Sequence, residues 1–467
     1  MIDTFAIRCN VLKIAFSGQL SQHEGEDGAI DDLLKRVNPN REIKQSEAGP
    51  YEIPENWAWV KLEDLYEINP KVEAADDTDA AFIPMERISA GFSDSFTFEV
   101  QKWSAASKNH TRFADGDVAF AKISPCFENR KSFIATGLPN GIGGGTTELI
   151  ILRQKEMLPR FTYYVTLDQR FIHEGVASYK GTVGQQRVKS DVIKNYMVAV
   201  PPKEEQQRII EKIESIFSAL DTIDTLQSQY QDNLATLKSK IIDAGIQGKL
   251  TEQLPEDGNA EELYQQIQRE KLALEKAGKI KKSKPLPPIS DEEKPFDIPD
   301  NWKWVRLADV YEINPKVNAD DNINAAFIPM ERISAGFDRS FSYVVQKWSE
   351  ASKNHTRFCD GDVAFAKISP CFENRKSFVV ENLPNSLGGG TTELIILRQK
   401  LIDPLFTYYL ILDERFIRLG LSTYKGTVGQ QRIKNDVMFA YVFPLPPLAE
   451  QKRIVAKLEE LLPLCEG

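Results

Sequence analysis

"DGDVAFAKISPCFENRKSF" occupies residues 115–133, and the same nineteen letters return unchanged at 360–378, 245 positions on. Working outward, residues 56–214 align with 301–459 without a gap, and 110 of the 159 positions are identical. "NWAWVKLEDLYEINPKV" (56–72) answers "NWKWVRLADVYEINPKV" (301–317), and "YKGTVGQQR" stands at both 179–187 and 424–432. A period this long is a whole domain rather than one unit of a solenoid. The chain therefore holds two copies of one globular domain.

Each copy mixes short strands with helices. "DVAFAKI" (117–123), "ELIILR" (148–153) and "MVAVPP" (197–202) read as strands, the last stopped by its prolines. "PRFTYYVTLDQRFIHEG" (159–175) carries apolar residues at helical spacing. "GIGGGTTE" (141–148) reads as a tight loop. The fold class is α/β with a mixed sheet in each copy.

The bulk numbers agree. A chain of 467 residues exceeds one ordinary core, and 42% hydrophobic with 27% charged residues suits a soluble globular protein. No apolar run approaches a membrane span of about 18 residues, and no signal-peptide pattern opens the sequence. Cys9, Cys126, Cys359, Cys371 and Cys465 form no CxxC and no disulfide framework, which points to a reducing, cytoplasmic setting.

After Pro201-Pro202 comes a long amphipathic stretch with apolar residues at Ile209, Ile213, Ile216, Leu220, Ile223, then Tyr230, Leu234, Leu237 and Ile241. The 4, 3 spacing is an a/d heptad seam, and about forty residues at ~1.5 Å each make a rod of roughly 60 Å. A seam this narrow needs a partner helix. "LAEQKRIVAKLEELLPL" (448–464) restarts the same helix, with Ile454 and Leu458 repeating Ile209 and Ile213, and then the chain stops. "VLKIAFSGQL" (11–20) parallels "IIDAGIQGKL" (241–250), with Ile7, Val11 and Ile14 continuing the spacing. The second helix is thus split between the chain ends. The expected parts are residues 1–20, half of the split helix region; 21–202, the first domain with its lead-in; 203–250, the central coiled-coil helix; 251–300, a polar helix and Pro-rich linker; 301–447, the second domain; and 448–467, the C-terminal helix. The layout is two tandem, near-identical mixed α/β domains joined by long antiparallel helices in a pseudo-twofold circular order.

Catalytic motifs are missing. "GIGGGTTE" lacks the GK[ST] of a phosphate loop, four histidines make no metal cluster, and no nucleophile constellation can be assembled. The chain reads as non-catalytic, with no cofactor and no metal of its own.

Local charge departs from the net charge of −10. Three basic clusters recur in both copies: Lys108 and Arg112 with Lys353 and Arg357; Lys122, Asn129, Arg130 and Lys131 with Lys367, Asn374, Arg375 and Lys376; and Lys180, Gln185, Gln186, Arg187 and Lys189 with Lys425, Gln430, Gln431, Arg432 and Lys434. Cations hold phosphates, and Arg, Lys, Asn and Gln read base edges with paired hydrogen bonds. Basic patches on an acidic protein suit selective nucleic-acid binding.

"VPPKEEQQRIIEKIESIFSALD" and "PLPPLAEQKRIVAKLEELL", each entering a long helix through Pro-Pro-x-x-Glu-Gln, together with "KGTVGQQR" and "GIQGKLTEQLPEDGNAEELYQQIQREK", resemble the specificity subunit of type I restriction–modification systems along essentially the whole chain. The resemblance implies that each domain is a target recognition domain reading one half of a two-part site on double-stranded DNA. It implies that the helices set the distance between the domains and dock two methyltransferase subunits. S-adenosylmethionine would sit on those subunits, and ATP and magnesium on a separate motor–nuclease subunit; no membrane is involved. This sequence departs from the family in one respect, because its two recognition domains nearly match, so the half-sites are expected to be inverted copies. The competing readings are a stand-alone sequence-specific DNA-binding regulator, and a scaffold that binds only proteins through the coiled coil.

Overall fold

The structure, a computed structural model, describes all residues except 23, 25–26, 38–48, 182–185, 281–285, 425–430 and 466–467. It divides into two compact units, Met1–Ser228 and Gln229–Gly467. The division falls inside the central helix, Lys203–Ile246, whose 44 residues make a rod of about 66 Å. Each unit therefore combines one α/β domain, half of the central helix and one terminal helix.

The described residues of the first unit form strands in the order β1 (Ala58–Lys61), β2 (Tyr66–Ile68), β3 (Asp79–Ile83), β4 (Glu99–Lys102), β5 (Thr111–Ala114), β6 (Val118–Ala121), β7 (Ser132–Ile134), β8 (Ile142–Gly145), β9 (Leu149–Gln154) and β10 (Met197–Val200). One sheet is ordered β2-β9-β6-β7, a second β4-β3-β8-β5, and β1 pairs with β10. Among the described residues of this unit only β3 with β8 is parallel, so the second sheet is mixed. The apolar run of β9 has no polar alternation because both faces are covered. Ile150 and Leu152 join the core that reaches the helices, while Leu149 and Ile151 join the core between the sheets.

Two local expectations change. The Gly-rich segment is strand β8, not a loop. A Cβ on Gly144 would lie 1.9 Å from the carbonyl oxygen of Ala106, because the short helix Trp103–Ala106 rests directly on that strand. The 159–175 stretch forms two helices, Pro159–Leu167 and Gln169–Ala177, which break at the buried Asp168.

The N-terminal helix Thr4–Phe16 runs antiparallel to the first half of the central helix. Thr4 donates to Asp224, Arg8 donates to the Phe217 carbonyl and pairs with Asp221 and Asp224 at 2.9 and 2.7 Å, and Lys212 donates to the Leu20 carbonyl. Ile209, Ile213 and Leu220 are buried, and Ile216 and Ile223 are half-buried. Ile210 and Phe217, outside the a/d seam, are buried too, because the domain covers a second flank of the helix. Of the N-terminal seam positions only Val11 is inside. Ile7 and Ile14 face outward, since the contact face is built on Thr4, Arg8, Val11, Leu12 and Ala15 at a 3.6-residue period.

The second unit repeats these sheets, strand for strand. The C-terminal helix Leu448–Leu461 lies antiparallel to the second half of the central helix. Thr251 and Gln253 donate to Glu450, and Gly245 leaves room for Ile454 and Leu458, both fully buried. The expected burial of the seam fails here. Leu234 is half-buried, Tyr230 is exposed, and Leu237 is 45% exposed. The N-terminal helix begins beside Asp224 and the C-terminal helix packs around Gly245, and Tyr230 and Leu237 between these points are exposed.

Differences between the copies compensate locally. In the first unit Arg160 pairs with Asp94 and with Glu214 at 3.2 Å. In the second, Leu405 replaces that arginine, Arg339 replaces Asp94, and Arg339 pairs with Glu459 at 2.7 Å. Each helix glutamate keeps a cation.

The linker helix Ala260–Lys276 is capped by Asn259, whose side chain accepts from the Glu261 amide at 2.7 Å, and ends before Gly278 at φ +66°. The first unit carries the shorter Ile30–Val37 at the corresponding place.

Candidate nucleic-acid interface

Just beyond β6, residues Lys122–Ser124 leave the sheet and meet the segment that closes the "KGTVGQQR" loop. The Lys122 amide donates to the Glu148 carbonyl at 2.8 Å, the Val188 amide to the Lys122 carbonyl at 3.0 Å, and the Ser124 amide to the Gln186 carbonyl at 2.8 Å. Lys180 and Arg187 exchange backbone hydrogen bonds of 3.1 and 3.0 Å, which close the loop at its neck. The Lys189 amide donates to Ser178 Oγ at 3.1 Å and pins the outgoing strand. The fold thus brings Lys122, Lys180, Gln186, Arg187 and Lys189 into one small region, with Lys180, Arg187 and Lys189 exposed.

The Arg187 guanidinium is forked by Glu148, Nε to Oε2 at 2.8 Å and Nη2 to Oε1 at 2.6 Å. The hydrogen bonds from Arg187 hold the Glu148 carboxyl below the usual carboxylate range.

The second copy repeats the bonds around Lys122, Ser124 and Glu148 at its described residues. The Lys367 amide donates to the Glu393 carbonyl at 2.8 Å, the Ile433 amide to the Lys367 carbonyl at 3.1 Å, and the Ser369 amide to the Gln431 carbonyl at 2.8 Å. Arg432 is forked by Glu393 at 3.0 and 2.8 Å. Lys434 is exposed, with its amide on Thr423 Oγ1. Gln185, Lys425 and Gln430 lie outside the described residues.

The turn after Ser124 behaves differently from its expectation. Arg130 is only 4% exposed. At φ +54° its side chain turns inward, where Nε donates to the Leu167 carbonyl at 3.0 Å, Nη2 donates to Gln169, and the guanidinium lies 4.9 Å from the Phe5 ring and 5.3 Å from that of Phe92. It ties the domain to the N-terminal helix and is not on a reading surface. Arg375 repeats the turn at φ +53° and pairs with Glu414, its guanidinium 5.3 Å from the Phe337 ring. Lys131 and Lys376 spend their ammonium groups on the carbonyls of Met85 and Met330, at 2.8 and 2.9 Å. Asn129 and Asn374 remain exposed.

Lys108 and Lys353 are exposed in the turn before β5 and its counterpart. Arg112, also exposed, and Arg357, half-buried, lie over Trp103 and Trp348 at 5.8 and 5.9 Å, and each donates to a serine carbonyl. Arg112 and Arg357 lie in the second sheet and Lys108 and Lys353 in the turn leading into it, and no hydrogen bond or ion pair joins the four to the loop cluster among the described residues. His110 and His355 serve packing, with Nδ1 facing the carbonyls of Ala106 and Ala351 at 3.1 Å.

Among the described residues no group of three or more His, Cys, Asp or Glu is placed to hold a metal ion, and no helix is long and apolar enough to cross a membrane. Glu148 and Glu393 were not among the residues expected at the site. Their only signal in the sequence was an unchanged "TTE" in both copies.

Two near-identical α/β domains, each fixed to half of one long helix and each carrying the same basic segment, define a tandem recognition protein. The family described as "Type I restriction modification DNA specificity domain" matches residues 54–230 and 299–465, and the chain belongs to it. It is 30% identical over 545 aligned positions to the Type I restriction enzyme EcoAI specificity subunit of Escherichia coli, spanning 99% of this chain and 90% of that protein. To the EcoEI specificity subunit of the same organism it is 28% identical over 552 positions, spanning 100% and 90%. A solved chain described under "Structural basis underlying complex assembly and conformational transition of the type I R-M system" shares the fold at a TM-score of 0.60 and 18% identity, covering 89% of this chain and 92% of that one.

Proposed function

We propose that the protein reads an interrupted palindrome on double-stranded DNA, as the specificity subunit of a type I restriction–modification complex in the cytoplasm. One observation carries the symmetric reading. Residues 115–133, 143–155 and 179–187 are identical to their partners, and the bonds that join Lys122, Ser124, Glu148, Gln186 and Arg187 recur at Lys367, Ser369, Glu393, Gln431 and Arg432. Equal surfaces read equal base pairs, and protein symmetry is mirrored in operator symmetry.

The chain supplies recognition and no catalysis. Two methyltransferase subunits would bring S-adenosylmethionine, and motor–nuclease subunits ATP and magnesium. An apolar position left open in each unit supports two equivalent docking places: Ile7 is 37% exposed, and Leu237, its counterpart 230 residues on, is exposed as well.

Sequencing the modified bases of DNA from the source organism tests the reading. The expected result is one motif whose halves are reverse complements around an unspecified spacer. Halves unrelated under reverse complementation overturn it. Purification with a methyltransferase, weakened by Ile7→Asp, supports the complex; purification without one favours a stand-alone regulator.

A further inference from the structure

Arg187 is exposed at the loop neck, yet it is engaged by a carboxylate. Its side chain is 45% exposed and that of Glu148 20%, so the acid is the inner member and the fork the outer one. Arg432 and Glu393 show the same order. The acid is itself anchored: its carbonyl takes the Lys122 amide, and its own amide donates to Thr146 Oγ1 at 3.2 Å. The arginine backbone is locked by its two bonds to Lys180.

An exposed ion pair contributes only about 0–1 kcal/mol to stability, so folding alone gives little reason to keep it twice. The two domains differ at 49 of the 159 aligned positions, yet the pair and every residue that anchors it are unchanged. An acid beside an arginine also weakens any grip on phosphate, because the net charge facing the DNA falls. What the acid does supply is a fixed guanidinium plane, which suits the directional hydrogen bonds of a base edge.

We infer that Glu148 and Glu393 are positioning residues, which hold Arg187 and Arg432 in the one orientation that reads a base pair in each half-site. The inference rests on the DNA-reading function proposed above and names the device that gives it selectivity.

The test uses the full chain, purified with whatever subunits accompany it, and a pool of random-sequence duplexes from which bound molecules are recovered and sequenced. The wild type should enrich a two-part motif. Glu148→Gln should still retain duplex DNA but lose about tenfold in selectivity at one position of one half-site, leaving the other half sharp. Glu393→Gln should do the same to a single half, and the double variant should blur both. The untouched half reports that the variant is folded. Glu148→Asp, which restores the charge, should recover part of the lost selectivity. Sharp halves in both Gln variants overturn the inference, as does an equal loss of all binding, which a merely structural role would give. A wild type that enriches no motif overturns the DNA-reading function itself, a separate outcome.

Discussion

Trp57 donates its indole Nε1–H to the buried carboxylate of Glu205 at 3.0 Å, and Trp302 does the same to Glu450 at 2.7 Å. Glu205 also accepts from Asn56 at 2.9 Å and Ser21 at 2.8 Å. The Pro-Pro-x-x-Glu-Gln entry to each helix thus clamps the first strand of its domain to the helix. The following Gln206 and Gln451 accept from the amides of Leu158 and Asp403. Glu205→Ala leaves three donors without their acceptor and should cost about 3 kcal/mol. Glu205→Gln, which keeps a carbonyl acceptor, should cost less. Chemical denaturation of both variants measures the difference.

The helix seam is protected unevenly, and substitutions along it should show this. Ile213→Asp puts an unpaired charge at a fully buried position and should cost more than about 4 kcal/mol. Leu237→Asp, at an exposed position, should fall within about 0.5 kcal/mol of the parent. Equal losses in thermal unfolding would contradict the uneven burial along the helix.

Arg130 and Arg187 separate stability from recognition. Arg130→Ala removes a buried guanidinium from the Leu167 carbonyl, Gln169 and two aromatic rings, and should lower Tm with the motif intact. Arg187→Ala should leave Tm nearly unchanged while discrimination at one base pair falls by about 1–3 kcal/mol. Melting curves and competition binding on the same preparations check both.

Gly144→Ala and Gly389→Ala should each destabilise by about 1–3 kcal/mol or more, because the added methyl would meet the backbone oxygens of Ala106 and Ala351 at 1.9 and 1.8 Å. Loss of soluble protein or a depressed Tm is the expected readout. An alanine that is accepted without cost would mean that the short helix can move off β8.

The Glu148–Arg187 and Glu393–Arg432 pairs should respond to acid. Arginine hydrogen bonds depress both carboxyls below their unfolded value of about 4.3. Their contribution is therefore fully present above that pH and is lost as pH falls through the lower folded value. Discrimination between half-site variants should stay constant from neutrality down to about pH 5 and decline only below the usual carboxylate range. A decline centred near pH 6.5 would point to a histidine instead.

The sequence by itself determined the duplication, the mixed α/β character of each copy and the long central helix. Those features are written in local order and periodicity, such as the heptad entry at Ile209 and Ile213 or the identical 115–133 and 360–378 segments. It also marked the "KGTVGQQR" loop, because lysine, glycine and glutamine cluster there twice. Only the tertiary structure decided which cations face outward. Composition gives Arg130 and Arg187 equal standing, but a positive φ and a pocket of Leu167, Gln169 and Phe5 draw the first inside, while a carboxylate 39 residues earlier in the chain holds the second at the surface. Burial along the central helix was likewise beyond a heptad count. A seam records which residues can pack, whereas the residues that do pack depend on where a split partner begins and ends.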